Sequence, residues 1–166
     1  MRKLWLFALL GLGTVAKAQI PQPDPDTTAK HFLIVASIKN LQEVSSGQLA
    51  VQKATNAEVK MLGQMMVKDH GDAEQKLLAL AKSRGYALPA AATGGIKPDL
   101  MLVHAGAKFD QLYVHGMVSG HRNTVEDFEN YATTGKDPAV KALARQMLPM
   151  LKHHLAEIRA IDQKLK

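Results

Sequence analysis

Four stretches of about 27 residues, each with apolar side chains recurring every three to four positions and each bounded by helix breakers, constrain this chain most. Thr27 to Ala54 has helical periodicity, with Asp26 or Thr27 as cap. Thr55-Asn56 interrupts it, and Asn56 can cap a second helix from Ala57 to Arg84 that Gly85 ends. Tyr86 to Pro98 is a Pro/Ala/Gly loop, after which Asp99 can cap a short helical turn reaching His104. A third long helix runs from about Lys108 to Thr134, where Gly135 stops it, and Pro138 opens a fourth that continues to the C-terminus. No stretch shows a clean period of two, and aromatic residues are only 5% of the chain, so strands have no place in the pattern. Short, long and short connections between the helices predict an all-α, ferritin-like antiparallel four-helix bundle over residues 27–166 with one long crossover loop.

The start of the chain is of another kind. Basic Arg2-Lys3, an apolar run from Leu4 to Val15 and then Ala16-Lys17-Ala18 form the pattern of a signal peptide over residues 1–18, cut after Ala18. The apolar run falls short of the roughly 20 residues that span a bilayer, so no transmembrane span is expected in the mature chain. Residues 19–26, with three prolines, read as an extended lead-in. These features place the mature protein in the periplasm or cell envelope. The chain has no cysteine, so the junction carries no lipid attachment and stability must come from packing rather than disulfides. Three of the basic residues leave with the leader; the remaining 18 Lys and Arg against 15 Asp and Glu give +3 and are interspersed. With no nucleic-acid motif, that balance gives no reason to expect a nucleic-acid partner.

Seven histidines are the unusual polar resource, and the helical faces divide them. His70 shares a face with Val59, Gly63, Met66, Val67, Ala73, Leu77 and Ala81. His121 lies with Val114, Met117, Val118, Val125, Phe128 and Ala132. His154 lies with Leu143, Met147, Met150, Leu151, Ile158, Ile161 and Leu165. His153 and His115 face charged neighbours, and His31 and His104 lie near helix ends, so three histidines point inward and four do not. On the first helix Glu43 shares its face with Phe32, Ala36, Gly47, Ala50 and Ala54, and a buried carboxylate is costly unless paired, hydrogen-bonded or metal-bound. Counted from the turns at 1.5 Å per residue, Glu43 and His70 differ in height by roughly 3 Å, and His121 and His154 by a similar amount. Each then lies near the middle of a different helix, which is how bundle cores build metal sites.

Met66, Met117 and Met150 each stand four residues before an inward histidine. Thioethers suit Cu(I), and imidazole suits Zn, Cu, Fe or Ni. The residues therefore nominate a transition-metal site, copper or zinc, with Glu43, His70, His121 and His154 as ligands and the three methionines as soft auxiliaries. The alternative is a non-enzymatic envelope-stress or interaction module in which the buried histidines form a structural polar network and the methionines fill core. Glu74 and Glu157 are near enough in sequence to join either arrangement. The Glu-x-x-His spacing of di-iron bundles is missing, which disfavours a ferroxidase. No nucleophile with an oriented base, phosphate loop or cofactor motif assigns an enzyme activity. Pro149, five residues before His154, predicts a local kink, and Gly116 and Gly120 predict close helix approach on the third helix.

Met66-Val67-Lys68-Asp69-His70, Phe109-Asp110 through Met117-Val118-Ser119-Gly120-His121, and Leu148-Pro149 through His154-Leu155 together resemble a bacterial envelope family known as domain of unknown function 4142. Its members often carry an outer-membrane-protein label. The resemblance covers about Thr28 to Leu165 and implies export and a ferritin-like bundle, without the strands of a β-barrel. A related family of methionine- and histidine-rich bundles, associated with copper, is similar in its Met/His pairs. By analogy, that resemblance implies copper.

Overall fold

A computed structural model describes residues 27–88 and 96–165. The expected signal peptide, the Pro-rich lead-in and the middle of the crossover loop lie outside the described residues. Among those described there are five α-helices and no strands: α1 (Thr27–Lys53), α2 (Ala57–Ser83), the short α3 (Leu100–Val103), α4 (Phe109–Thr134) and α5 (Pro138–Lys164), with a 3-10 turn at Gly106–Lys108 before α4. None of these helices is long and apolar enough to cross a membrane.

The ends are set locally, as the sequence indicates. Asn56 accepts at its side-chain oxygen from the N–H groups of Glu58 and Val59, and Asp137 does the same for Ala139 and Val140 with Pro138 in the first helical turn. At the end of α2 the Tyr86 N–H reaches the Ala81 carbonyl and the Gly85 N–H the Lys82 carbonyl, with Gly85 at φ 71°, a left-handed conformation that glycine adopts without a Cβ clash.

Two aspartates reveal the topology. Asp110, at the start of α4, accepts from the backbone N–H groups of Thr55 and Asn56 in the α1–α2 turn. At the other end Asp137, opening α5, accepts from Arg84 and from the Tyr86 hydroxyl beyond α2. α4 therefore starts where α2 starts, the two run parallel, and the connection between them traverses the length of the bundle. This is the ferritin-like crossover, with hairpins α1–α2 and α4–α5 packed so that α1 meets α4 and α2 meets α5. Burial would push the Asp137 carboxyl up, but the N–H groups of Val140 and Ala139 and the Arg84 guanidinium hold it below the usual carboxylate range.

The α1–α2 hairpin crosses closely at Gly47 and Gly63, where a Cβ added to either would stand 2.8 Å from the other's carbonyl oxygen. The close approach expected at Gly116 and Gly120 is absent. Gly116 has open space around it, and a Cβ on Gly120 would meet only the Glu43 Oε1 at 3.8 Å. α5 continues through Pro149, which lies on the exposed side of the helix. The apolar core is divided in two. One cluster holds Leu33, Leu77, Phe128, Val140 and Leu151, and the other Leu49, Leu62, Met66, Tyr113, Met117 and Ile158. Between them, at the waist of the bundle, lie the buried polar side chains Ser37, Asn40, His70, Glu74, His121 and His154.

Candidate metal centre

The three inward histidines meet. His70, His121 and His154 are 2%, 1% and 0% exposed, and their ring centroids lie 5.3 to 5.6 Å apart. One nitrogen from each falls in a group whose members are all within 4.8 Å of one another. The other four histidines are exposed, His115 most plainly with its side chain 83% accessible.

The hydrogen bonds behind the rings assign their tautomers. The buried Glu74 carboxylate accepts from the Ser37 hydroxyl and from the Asn40 Nδ2, which turns the Asn40 oxygen toward His70. His70 then donates Nδ1–H to that oxygen at 3.0 Å. His121 donates Nδ1–H to the Met117 carbonyl at 3.2 Å, a bond within its own helix turn. His154 donates Nε2–H to Asp69 Oδ2 at 3.0 Å, joining α5 to α2. Every imidazole proton is thus directed outward. The Nε2 lone pairs of His70 and His121 face each other at 3.3 Å, and the His154 Nδ1 is buried with no hydrogen-bond partner among the described residues. Lone pairs so close, with no proton left to share, are unfavourable to each other, and the arrangement of outward N–H bonds is the one that orients imidazoles around a metal.

The rings are neutral. Burial, followed by the neighbouring imidazoles, holds His70 well below its ordinary value, and burial, followed by the nearby His154 imidazole, brings His121 to about 4. His154 is lowered by burial against the pull of Asp69. Neutral imidazole is the form that binds metal, so no proton has to be displaced at neutral pH.

Glu43 does not stand with the three nitrogens. Its Oε1 lies 3.8 Å from the outward Nδ1 of His121, too far for a hydrogen bond, and its Oε2 has no partner among the described residues. Burial raises its carboxyl to about 7, with Lys39 opposing. The residue that α1 sends to the waist is Asn40, three positions earlier. Met66 and Met117 are buried one turn before their histidines in the same apolar cluster, whereas Met150 is only partly buried, against the other cluster. Glu74 reaches His70 through Asn40, and Glu157 is exposed. Sequence reasoning missed Asn40 and Asp69. The available signals were a lone amide on the stripe of Leu33, Ala36 and Gly47, and an aspartate adjacent to an inward histidine.

Fold and waist together define a class: a ferritin-like four-helix bundle whose core carries three converging imidazoles that can hold a metal ion. The chain belongs to the family described as domain of unknown function (DUF4142), which it matches over residues 14–161. Among curated proteins, none matches the chain in sequence. Among solved structures the fold is shared by CopM in its Cu(I)-bound form, with 16% identity, 84% of this chain and 99% of that one covered and a TM-score of 0.70. The Cu(II)-bound form of CopM gives 17% identity, 83% and 97% coverage and a TM-score of 0.70. A DUF305 fragment from Deinococcus radiodurans gives 13% identity, 86% and 97% coverage and a TM-score of 0.68. At these identities the likeness is one of fold.

Proposed function

We propose that this protein is an exported metal-binding bundle that holds one transition-metal ion, copper ahead of zinc, between His70, His121 and His154. The observation that carries the reading is the convergence of three buried, unprotonated nitrogens whose rings are each anchored by an outward N–H bond. Three imidazoles suit copper and zinc alike. Copper leads because Met66 and Met117 place thioethers one turn from two of the ligands, and because CopM, of similar fold, has been solved with Cu(I) and Cu(II) bound. Glu43 stands behind His121 as a carboxylate able to balance the charge of a bound ion.

The structural-network reading has one observation in its favour: burial raises the Glu74 carboxyl, against the hydrogen bonds from Ser37 and Asn40. A proton on Glu74 would let the Asn40 amide turn over, and His70 could then donate to His121. Titration of the metal-free protein with Cu(I), Cu(II) and Zn(II) separates the two. Saturable binding to one site is expected, and Asn40→Ala weakens it about 10- to 100-fold, the usual cost of removing an orienting partner. His121→Ala weakens it further, His115→Ala is silent, and bound metal raises the melting temperature. Affinity unchanged in His121→Ala, with stability alone reduced, would establish the polar network instead.

A further inference from the structure

We propose that the open groove between α2 and α5 over Asp69 is the port through which the ion reaches and leaves the three histidines; this rests on the metal-binding reading above. Side chains 0–2% exposed cannot exchange an ion directly with solvent. The outward bonds of the three rings show where the wall is thin. Asn40 behind His70 is 5% exposed, and the acceptor behind His121 is a backbone carbonyl inside a helix. Asp69 behind His154 is different, with its side chain 29% accessible. Its carboxylate both bonds an imidazole and lines a surface groove of about 280 Å³ walled by Lys68, Asp69, Asp72, Lys76, Met147 and Met150, whereas Met117, which lines another surface cavity, meets His121 through a backbone carbonyl held in its helix. Glu43, whose Oε1 stands 3.8 Å from the His121 Nδ1, makes no hydrogen bond to an imidazole.

The lining suits a soft cation. Asp69 and Asp72 supply carboxylates that Lys68 and Lys76 balance in charge, and two thioethers stand beside them for Cu(I). The groove also gives Met150, which the core only partly buries, a place in the same pathway as His154. Lys68 occupies the mouth: its Nζ lies 3.0 Å from Asp72 Oδ2 and 3.6 Å from Asp69 Oδ1, with the side chain 74% accessible. Exposed ion pairs of this kind contribute little, so an arriving cation displaces the ammonium readily.

A port stabilises the path and not the bound state, so its residues must change loading and release together while leaving Kd alone. Stopped-flow transfer of Cu(I) from a chelator complex to the full chain, and back to excess chelator, reads both rates. Asp72→Asn and Met150→Leu, neither of which touches an imidazole, should slow loading and release by a common factor of about three to ten, the scale of losing local steering. Lys68→Ala should speed both, Met150→Leu should not affect Zn(II), and Asp127→Asn on the α1/α4 face should change neither rate. Wild-type rates in all three groove variants, or a changed Kd with loading unaffected, would overturn the port while the metal site stands. Failure of the wild type to take up Cu(I) or Zn(II) at all would overturn the metal-binding reading itself.

Discussion

Three imidazoles buried without charge govern how the protein meets acid. In the unfolded chain they titrate near 6.5, whereas burial holds His121 at about 4 and lowers His70 and His154. Their contribution to stability is present above 6.5 and is lost as pH falls toward the folded values. Glu43 acts with the opposite sign: raised from 4.5 to about 7, it contributes below 4.5 and loses that contribution as pH rises through 7. Near pH 5.5 three depressed imidazoles oppose two raised carboxyls, Glu43 and Glu74. Urea unfolding of metal-free protein should show the His121 contribution being lost as pH falls from 6.5 toward 4, and His121→Leu should lower the slope of stability against pH in that window by up to about 1.4 kcal/mol per pH unit. A slope unchanged by His121→Leu would mean that this ring is not held neutral. The same rings show how far single residues could be read. Their apolar stripes turn them inward without ambiguity, but α1 is apolar on several sides, at Phe32, Leu33, Ile34 and Val35 together. Asn40 and Glu43 both lie on its inward side, and periodicity does not say which of the two reaches an imidazole.

For the elements, the decisive contact is the crossing of α1 and α2. Gly47 and Gly63 oppose backbone to backbone, so neither side can yield to a new Cβ. Gly47→Ala should cost about 1–3 kcal/mol, the usual penalty of overpacking, and lower the melting temperature accordingly. Gly116→Ala, on an exposed helical surface with open space, should instead stabilise by about 0.4–1 kcal/mol through the unfolded chain. Thermal and urea unfolding of the two variants test the assignment, and equal effects would contradict it. The sequence suggested glycine packing on the third helix because Gly116 and Gly120 repeat at four residues. Which face of a helix meets a neighbour depends on the neighbour, and among the described residues that face of α4 meets only the Glu43 side chain beside Gly120 and nothing beside Gly116. The helix ends beside Asn56, Gly85 and Asp99, by contrast, were readable to within a residue, because these residues act on N–H and C=O groups of their own turn.

At the scale of the whole molecule, the polar waist interrupts a core that could otherwise be continuous, and two aspartates hold the hairpins in register at either end. Asp110 ties α4 to the α1–α2 turn and Asp137 ties α5 to the end of α2, so both hairpins present their midpoints at one height. The export proposed for this molecule rests on the pattern of Arg2-Lys3, the apolar run and Ala16-Lys17-Ala18. Intact-mass measurement of the exported protein should give a chain beginning at Gln19, and a retained leader would refute the proposal.

The amino-acid sequence by itself determined the number of long helices, their ends, the need for a long crossover and which histidines turn inward. All of these follow from interactions within about four residues: caps, breakers and the 3.6-residue period. Only the tertiary structure decided the site's surroundings. Asn40 with His70, His70 with His121, and Asp69 with His154 are 30, 51 and 85 residues apart in sequence. Whether such pairs meet depends on the rotation and height of whole helices, which the glycine crossing, the aspartate ties and the packing of two core clusters settle jointly. Amphipathic periodicity specifies the buried face of each helix, but it carries no information about which atom of the facing helix lies opposite.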